Sequence, residues 1–275
     1  MSYLDRFVAF RCAPALLRLG VFPNAKEITE SMAVLWAVDT HLGAKPCGLR
    51  FNYRRVTCVV VGDGAAPRTA CLACFRTKWG RVVAVDPALR RAPEGDTERY
   101  AAVSRLELHA ARIQDVRVDV DPAHEHVVVV LPHAHVIPNQ ALASLAFRAG
   151  GAGGAGGRRR CTLSVIQMPC CNFEWHDRVC GLAPDAEYCD VAVASRRRRM
   201  RVWRDVMEAA LRLRAVTVLR ADGSGAVARA ARPARLLRHP HSCSADRRQR
   251  SSGKEQVVLD SRVIDHKTHT TRPMR

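Results

Sequence analysis

The chain has 275 residues, with 48% apolar and 25% charged, an ordinary mixture for one large globular domain or two small ones. Lys and Arg outnumber Asp and Glu by 44 to 26, and the net charge of +18 favours a polyanion such as nucleic acid as a partner. No apolar run approaches the roughly 20 residues of a membrane-spanning helix, so the composition excludes a membrane partner of that kind.

The N-terminal region is predicted to be a short leader over residues 1–23, followed by a helix. Arg6, Arg11 and Arg18 stand among apolar residues in the leader, and an organelle-import signal is one interpretation of them. Asn24 is a predicted N-cap for a helix that runs to about Leu42. Eleven clustered cysteines without the even spacing of a disulfide framework favour a reducing, intracellular location, most simply the cytoplasm.

Residues 56–87 are predicted to form a strand, a glycine turn, a helix and a second strand. A β-branched run at 56–61 ends at Gly62-Asp63-Gly64, and a helix is expected over 67–78. A second apolar run, 82–85, ends at Asp86. The pattern is typical of a βαβ unit with parallel strands.

Strands and helices continue to alternate after this unit, which favours an α/β fold with a seven-strand, mostly parallel Rossmann-like sheet flanked by helices. The whole domain is predicted to span 24–220. Glycine, alanine and arginine at 150–160 predict a flexible insertion, and 221–275 is predicted to be a basic, mostly disordered tail. Further strands are expected at 105–110, 126–131, 162–168, 190–194 and 215–220, and further helices at 139–148 and 203–214.

The turn Gly62-Asp63-Gly64 and Asp86 together predict a nucleoside site. Small residues after the first strand let backbone N–H groups approach a cofactor. A carboxylate ending the next strand, 22 residues beyond Gly64, can accept hydrogen bonds from both hydroxyls of an adenosine ribose. The alternative is structural: a tight turn, with Asp86 capping the segment after it.

These residues resemble the class I S-adenosylmethionine-dependent methyltransferases, which have a glycine-rich turn after strand one and an acidic residue at the end of strand two. Val60 stands where that family usually has an acidic residue. The resemblance implies S-adenosylmethionine as cofactor, bound by Gly62, Asp63, Gly64 and Asp86, with Asp115 near the adenine. A nicotinamide-binding turn fits less well, because Pro67 replaces its third glycine.

Two later turns are similar to methyltransferase-like families with a Pro-Cys-Cys turn after strand five, some of which act on tRNA. They are Leu131-Pro132-His133-Ala134-His135 and Gln167-Met168-Pro169-Cys170-Cys171. The resemblance implies that His133, Pro169, Cys170 and Cys171 face the acceptor, with His133 as a base. Buried packing is the alternative role for both cysteines.

Cys170, Cys171, Cys180, Cys189 and nearby histidines are also zinc-ligand types. Their spacing is not that of a zinc site, and the pair Cys71 and Cys74 falls in a predicted helix, so no metal is predicted.

A cluster of guanidinium groups before the last predicted helix predicts an RNA contact. Guanidinium groups bind phosphates and an aromatic ring can stack on a base. A solvated structural loop is the alternative. The residues are Arg196, Arg197, Arg198, Arg199, Arg201 and Trp203.

The sequence therefore predicts an S-adenosylmethionine-dependent methyltransferase whose acceptor is RNA. Two alternatives stay open: a methyltransferase-like binding protein that has lost catalysis, and an arginine-rich nucleic-acid-binding protein. Oligomeric state is not predicted.

Overall fold

A computed structural model describes residues 1–43, 48–91, 96–147, 161–170 and 176–212 of the protein. Seven strands of these ranges form one sheet in the order β3-β2-β1-β5-β7-β9-β8, and β4 pairs with β6 separately. The strands are β1 Val56–Val61, β2 Arg81–Val85, β3 Leu106–His109, β4 Val118–Val120, β5 His126–Pro132, β6 Leu145–Phe147, β7 Thr162–Met168, β8 Ala186–Cys189 and β9 Arg199–Trp203.

All neighbouring strands of the large sheet from β3 through β7 are parallel, whereas β9 is antiparallel to both β7 and β8. The predicted seven-strand, mostly parallel α/β sheet is therefore confirmed. The order reverses between β1 and β5, because β2 and β3 extend to one side of β1 and the later strands extend to the other. Such a switch point leaves a crevice at the carboxyl ends of the strands, where open α/β sheets bind ligands.

The central strands are buried on both faces because each face carries its own apolar core. In β1, Val56, Cys58 and Val60 face one core, and Val59 and Val61 face the other. Alternate side chains of a strand point to opposite faces, so a continuous valine run fills both cores. The helices of the first face are α1 Tyr3–Val8, α2 Ala13–Arg18, α3 Ala25–Ala37 and α4 Arg68–Arg76.

The helix predicted from Asn24 is confirmed: the Asn24 side chain accepts a hydrogen bond from the Glu27 N–H at 3.1 Å. After α3 the chain continues as a π-helical turn, Val38–Leu42. The remaining helical segments are Pro87–Arg91, α5 Asp96–Ala101, Ile113–Asp115, α6 Pro138–Ala143 and a helix over 207–212.

Residues 1–23, the predicted leader, contain the helices α1 and α2. Tyr3, Phe7 and Leu16 are buried in the core against α3 and α4. The hydroxyl of Tyr3 also donates a hydrogen bond of 2.5 Å to Asp190.

Three of the later predicted elements are placed differently. Residues 190–194 form a turn in which Asp190 accepts the N–H of Ala192, and the sixth strand of the sheet is β8 instead. The helix predicted at 203–214 begins only at 207, since 199–203 is strand β9. The helix predicted at 139–148 ends at Ala143 and gives way to β6. The insertion at 150–157, the strand at 215–220 and the tail lie outside the described residues.

Candidate functional site

The turn after β1 requires glycine at both ends. Gly62 and Gly64 have φ angles of +84° and +83°, in the left-handed region that favours glycine. A Cβ at position 62 would lie 2.6 Å from the Cα of Ala134, so the backbones after β1 and β5 touch here. Gly62 also donates its N–H to Val85 at 3.1 Å. The turn is thus held against the ends of both neighbouring strands.

Asp63 forms hydrogen bonds to the start of the helix that follows this turn. Its carboxylate accepts the N–H groups of Thr69 and Ala70, each at 3.0 Å, at the start of α4. Burial raises the pKa of Asp63, and Arg68 together with the two N–H groups acts against that rise. Because the carboxylate is 2% exposed and turned into the helix, Asp63 shapes the turn rather than presenting a charge to solvent.

Asp86 lies directly after β2 and connects two loops. One carboxylate oxygen accepts the N–H of Gly64 at 2.7 Å, and the other accepts the N–H of Ala88 at 2.7 Å. The residue is half-buried. A carboxylate offers about four lone-pair sites, so two remain for the hydroxyls of a ligand.

A first cleft of about 490 Å³ opens beside Asp86, at the carboxyl ends of β1, β2 and β5. Its volume is within the roughly 300–1,000 Å³ usual for ligand sites. Ile113 and Gln114 form its far wall, whereas Asp115 is exposed and does not line it. Asp115, which is predicted to lie near the adenine, follows these two residues in the chain.

A second cleft of about 340 Å³ lies on the other side of the turn. Gly62 and His133 line both clefts, so they form the wall that the two share. Half of the residues that line the second cleft are charged: Lys26, Glu27, Glu30, Asp63, Arg68, Arg196 and Arg197.

His133 is held by a buried carboxylate that the sequence did not reveal. Its Nε2 atom lies 2.9 Å from Glu30 Oε1, and Lys26 Nζ lies 3.0 Å from the same carboxylate. Burial opposes ionisation of Glu30, but the hydrogen bonds and positive charges of His133 and Lys26 outweigh it and lower the pKa of Glu30 to about 2. On the helix pattern alone Glu30 is assigned to the solvent side, and no local signal points to His133, 103 residues away.

Cys170 lines the second cleft, and its Sγ atom lies 2.9 Å from Nε2 of His135, which lines the first. Pro169 is buried at the end of β7. Cys171 lies outside the described residues. The two turns that the sequence singled out are therefore adjacent in space, because the parallel strands β5 and β7 end together.

The arginine cluster divides into two groups. Arg196, Arg197 and Arg198 are exposed, and the first two reach the second cleft. Arg199 pairs with Glu187 at 3.4 Å. Arg201 and Trp203, also predicted to contact RNA, are 3% and 0% exposed, so neither side chain is presented at the surface.

Strand β9 explains this burial. It lies between β7 and β8, and each of its faces packs in an apolar core, Met200 and Val202 in the first and Trp203 in the second. Arg201 is neutralised by Glu187 at 3.3 Å, and the indole of Trp203 donates to the carbonyl of Leu182 at 3.1 Å. A buried guanidinium needs such a partner.

Within the described residues, no three His, Cys, Asp or Glu side chains come together as metal ligands. Cys71 and Cys74 are buried in α4. Across the same ranges, none of the helices is both long and apolar enough to cross a membrane.

Neither a protein-family model nor a curated protein sequence matches the chain. Solved structures are similar to it at low identity. A geranyl diphosphate C-methyltransferase from Streptomyces coelicolor A3(2) is 17% identical over 50% of this chain and 46% of its own, with a TM-score of 0.33. A 16S rRNA (adenine(1408)-N(1))-methyltransferase from Catenulisporales acidiphilia is 22% identical over 42% and 52%, with a TM-score of 0.29.

A third structure, named MtNAS and solved in complex with S-adenosylmethionine, is 11% identical over 74% of this chain and 70% of its own, with a TM-score of 0.40. The chain spans about half the length of the first two of these structures, the geranyl diphosphate and 16S rRNA methyltransferases. The first of these three structures holds S-adenosylhomocysteine, and the other two hold S-adenosylmethionine. The fold of the chain itself is the seven-strand, mostly parallel α/β sheet with a crevice at the switch point.

Proposed function

We propose that the protein is a methyltransferase that uses S-adenosylmethionine and methylates RNA. The observation that carries the proposal is the placement of Asp86 and the Gly62–Gly64 turn on one cleft at the carboxyl ends of β1 and β2. The adenosine part of the donor fits the first cleft, with the ribose hydroxyls on the remaining lone pairs of Asp86. Because Gly62 lines both clefts, the sulfonium end of the donor is placed beside Gly62, facing the second cleft.

Methyl transfer needs a nucleophile held in line with the methyl group and, for some acceptors, a base. The second cleft offers His133 and Cys170 for the acceptor side, as the resemblance implies, with the buried Pro169 fixing the turn before Cys170. Cys171 is retained as an acceptor-side residue on the resemblance alone. A donor bound in the first cleft would supply the electrophilic methyl group.

RNA is favoured as acceptor by the exposed arginines at the rim of the second cleft. Arg196 and Arg197 line that cleft, and Arg198 follows them on the surface. Guanidinium groups bind phosphates by paired hydrogen bonds, so a polyanion is attracted to the place where an acceptor would enter. We also propose an intracellular, reducing location, which the free thiols of Cys12, Cys58, Cys71, Cys74 and Cys161 support.

A second candidate is a binding protein that keeps the fold without catalysis. The specific observation in its favour is that both oxygens of Asp86 already accept backbone N–H groups, which a purely structural aspartate would also do. Val60, buried before the turn, also lacks the charge that the resembling family usually has there.

Calorimetric titration of S-adenosylmethionine, and separately of S-adenosylhomocysteine, tests the proposal. We expect micromolar binding that is lost in Asp86→Ala and kept in Asp115→Ala, a matched control because Asp115 is exposed and lies outside the cleft lining. Absence of heat at millimolar donor would favour the binding-protein candidate. Transfer of a tritiated methyl group from the donor to RNA, protein and small-molecule fractions of a cell extract then tests RNA against the other acceptors.

A further inference from the structure

Glu30 is an acidic side chain placed where acids are rarely found. It projects from α3 into the molecule and is 3% exposed, beside the wall shared by the two clefts. A buried carboxylate is costly unless it is paired and hydrogen-bonded. Its partners are His133, at 2.9 Å, and Lys26, at 3.0 Å.

The state of Glu30 determines which nitrogen of His133 carries the proton. His133 and Lys26 hold the pKa of Glu30 near 2, so at neutral pH the carboxylate is ionised and can only accept hydrogen bonds. The nitrogen facing it, Nε2, must then be the protonated one. In neutral imidazole the other nitrogen, Nδ1, consequently has the lone pair.

Nδ1 of His133 makes no hydrogen bond within the part of the chain that the structure describes. The ring is 22% exposed and lines both clefts. Among the described residues that line the second cleft, His133 is the one imidazole. Two basic side chains of the same cleft, Lys26 and Arg68, each form an ion pair with Glu27.

We propose that Glu30 is a positioning residue that fixes His133 as the proton acceptor of the second cleft, and that this cleft takes acceptors which lose a proton from an O–H or N–H group. The inference rests on the proposed function and specifies its acceptor chemistry. It excludes acceptors without a dissociable proton, such as thioethers and tertiary amines.

The step balances in atoms and charge. The acceptor oxygen or nitrogen attacks the methyl carbon, the carbon–sulfur bond breaks, and its electron pair goes to sulfur, which becomes a neutral thioether. The acceptor proton passes to Nδ1 of His133. The positive charge lost from the sulfonium reappears on the imidazolium, where the Glu30 carboxylate stabilises it before the proton leaves to water.

Nitrogen-15 NMR of the full-length protein, labelled at histidine, tests the positioning role without any acceptor. At a pH where the ring is neutral, we expect His133 to carry its proton on Nε2 and none on Nδ1. Glu30→Gln should give a mixture of tautomers, because a carboxamide can donate or accept. Glu27→Gln should keep the wild-type signature, since Glu27 lies on the same helix and binds Lys26 but does not contact His133. A proton on Nδ1 in the wild type, or an unchanged tautomer in Glu30→Gln, would overturn the inference.

Transfer of the methyl group to the fractions of the cell extract tests the proposed acceptor chemistry. Glu30→Gln should lower the transfer rate about 100-fold, the usual contribution of a general base, with the donor Kd unchanged. A methyl group found on carbon, or on sulfur of a thioether, would overturn the acceptor class. Loss of donor affinity in Glu30→Gln would instead make Glu30 a ligand of the donor. Failure of the wild type to bind donor at all would refute the proposed function, while the NMR result would still stand by itself.

Discussion

The carboxylate of Asp86 accepts the N–H of Gly64 at 2.7 Å, across 22 residues of sequence. This bond ties the turn after β1 to the end of β2. A second bond, from the N–H of Gly62 to the carbonyl of Val85, ties the same turn to the same strand. The turn is therefore fixed at both of its glycines before any ligand arrives, which is the preorganisation that a binding site requires.

Gly62→Ala is expected to destabilise the protein by several kcal/mol. The added Cβ would be strained at a φ of +84° and would collide with the Ala134 backbone at 2.6 Å, which cannot move without shifting β5. Gly20→Ala is the matched control, because its φ is +69° but nothing lies within 4 Å of its Cβ, so only about 1 kcal/mol of strain is expected. Urea denaturation measures both variants. An equal loss of unfolding free energy in the two variants would mean that the contact with Ala134 is not rigid.

Stability is expected to depend on Glu30 in acid. The folded-state pKa of Glu30 is lowered from 4.5 to about 2, so its stabilising interactions are complete above about pH 4.5 and are lost as the pH falls towards 2. The shift corresponds to roughly 3 kcal/mol. The wild type should have a higher free energy of unfolding than Glu30→Gln at pH 5. About this much of the difference should be lost when the pH falls from 5 to 2. A pH-independent difference between the two proteins would contradict the lowered pKa.

The two groups of arginine-cluster residues should respond differently to substitution. Replacing Arg196, Arg197 and Arg198 by alanine should weaken RNA binding and flatten its salt dependence by about 0.7 log units per lost phosphate contact, with no change in melting temperature. Trp203→Ala should instead cost roughly 3–5 kcal/mol of stability, because the indole is fully buried. Fluorescence anisotropy against salt and thermal unfolding separate these effects. RNA binding unaffected by the triple substitution would remove the basis for RNA as acceptor.

Cys170 should react with iodoacetamide faster than the buried thiols of Cys58, Cys71 and Cys74. It is half-buried at the second cleft and hydrogen-bonded to His135, whereas burial raises the pKa of Cys74 to about 12 and also raises those of Cys58 and Cys71. Mass spectrometry of peptides after timed labelling measures the rates. His135→Asn should slow labelling at Cys170 alone.

Bound S-adenosylhomocysteine is a further check on Cys170. If the donor product extends past Gly62 into the second cleft, it should protect this thiol and leave labelling of Cys12, which lies outside both clefts, unchanged. Equal labelling of Cys170 with and without the ligand would contradict a shared donor and acceptor space.

The sequence by itself determined the parallel strands β1, β2, β3, β5 and β7 and the turns that follow them. Valine runs long enough to be buried on both faces predict parallel strands, and glycines that need positive φ predict where the first turn lies. Asp86 and the turns at His133 and Cys170 follow from the same local pattern, because parallel strands place their carboxyl ends at one edge.

Only the tertiary structure decided the rest. From the sequence, Arg201 in β9 has the pattern of a surface residue, but in the structure Glu187 neutralises it. Trp203 has the pattern of a residue available for stacking, but it packs in the second apolar core. Glu30 has the periodicity of an exposed helix position, yet it is buried because His133 and Lys26 compensate its charge. Such pairings depend on residues distant in sequence, and the free energy of burying a charge is set by partners that no local pattern contains.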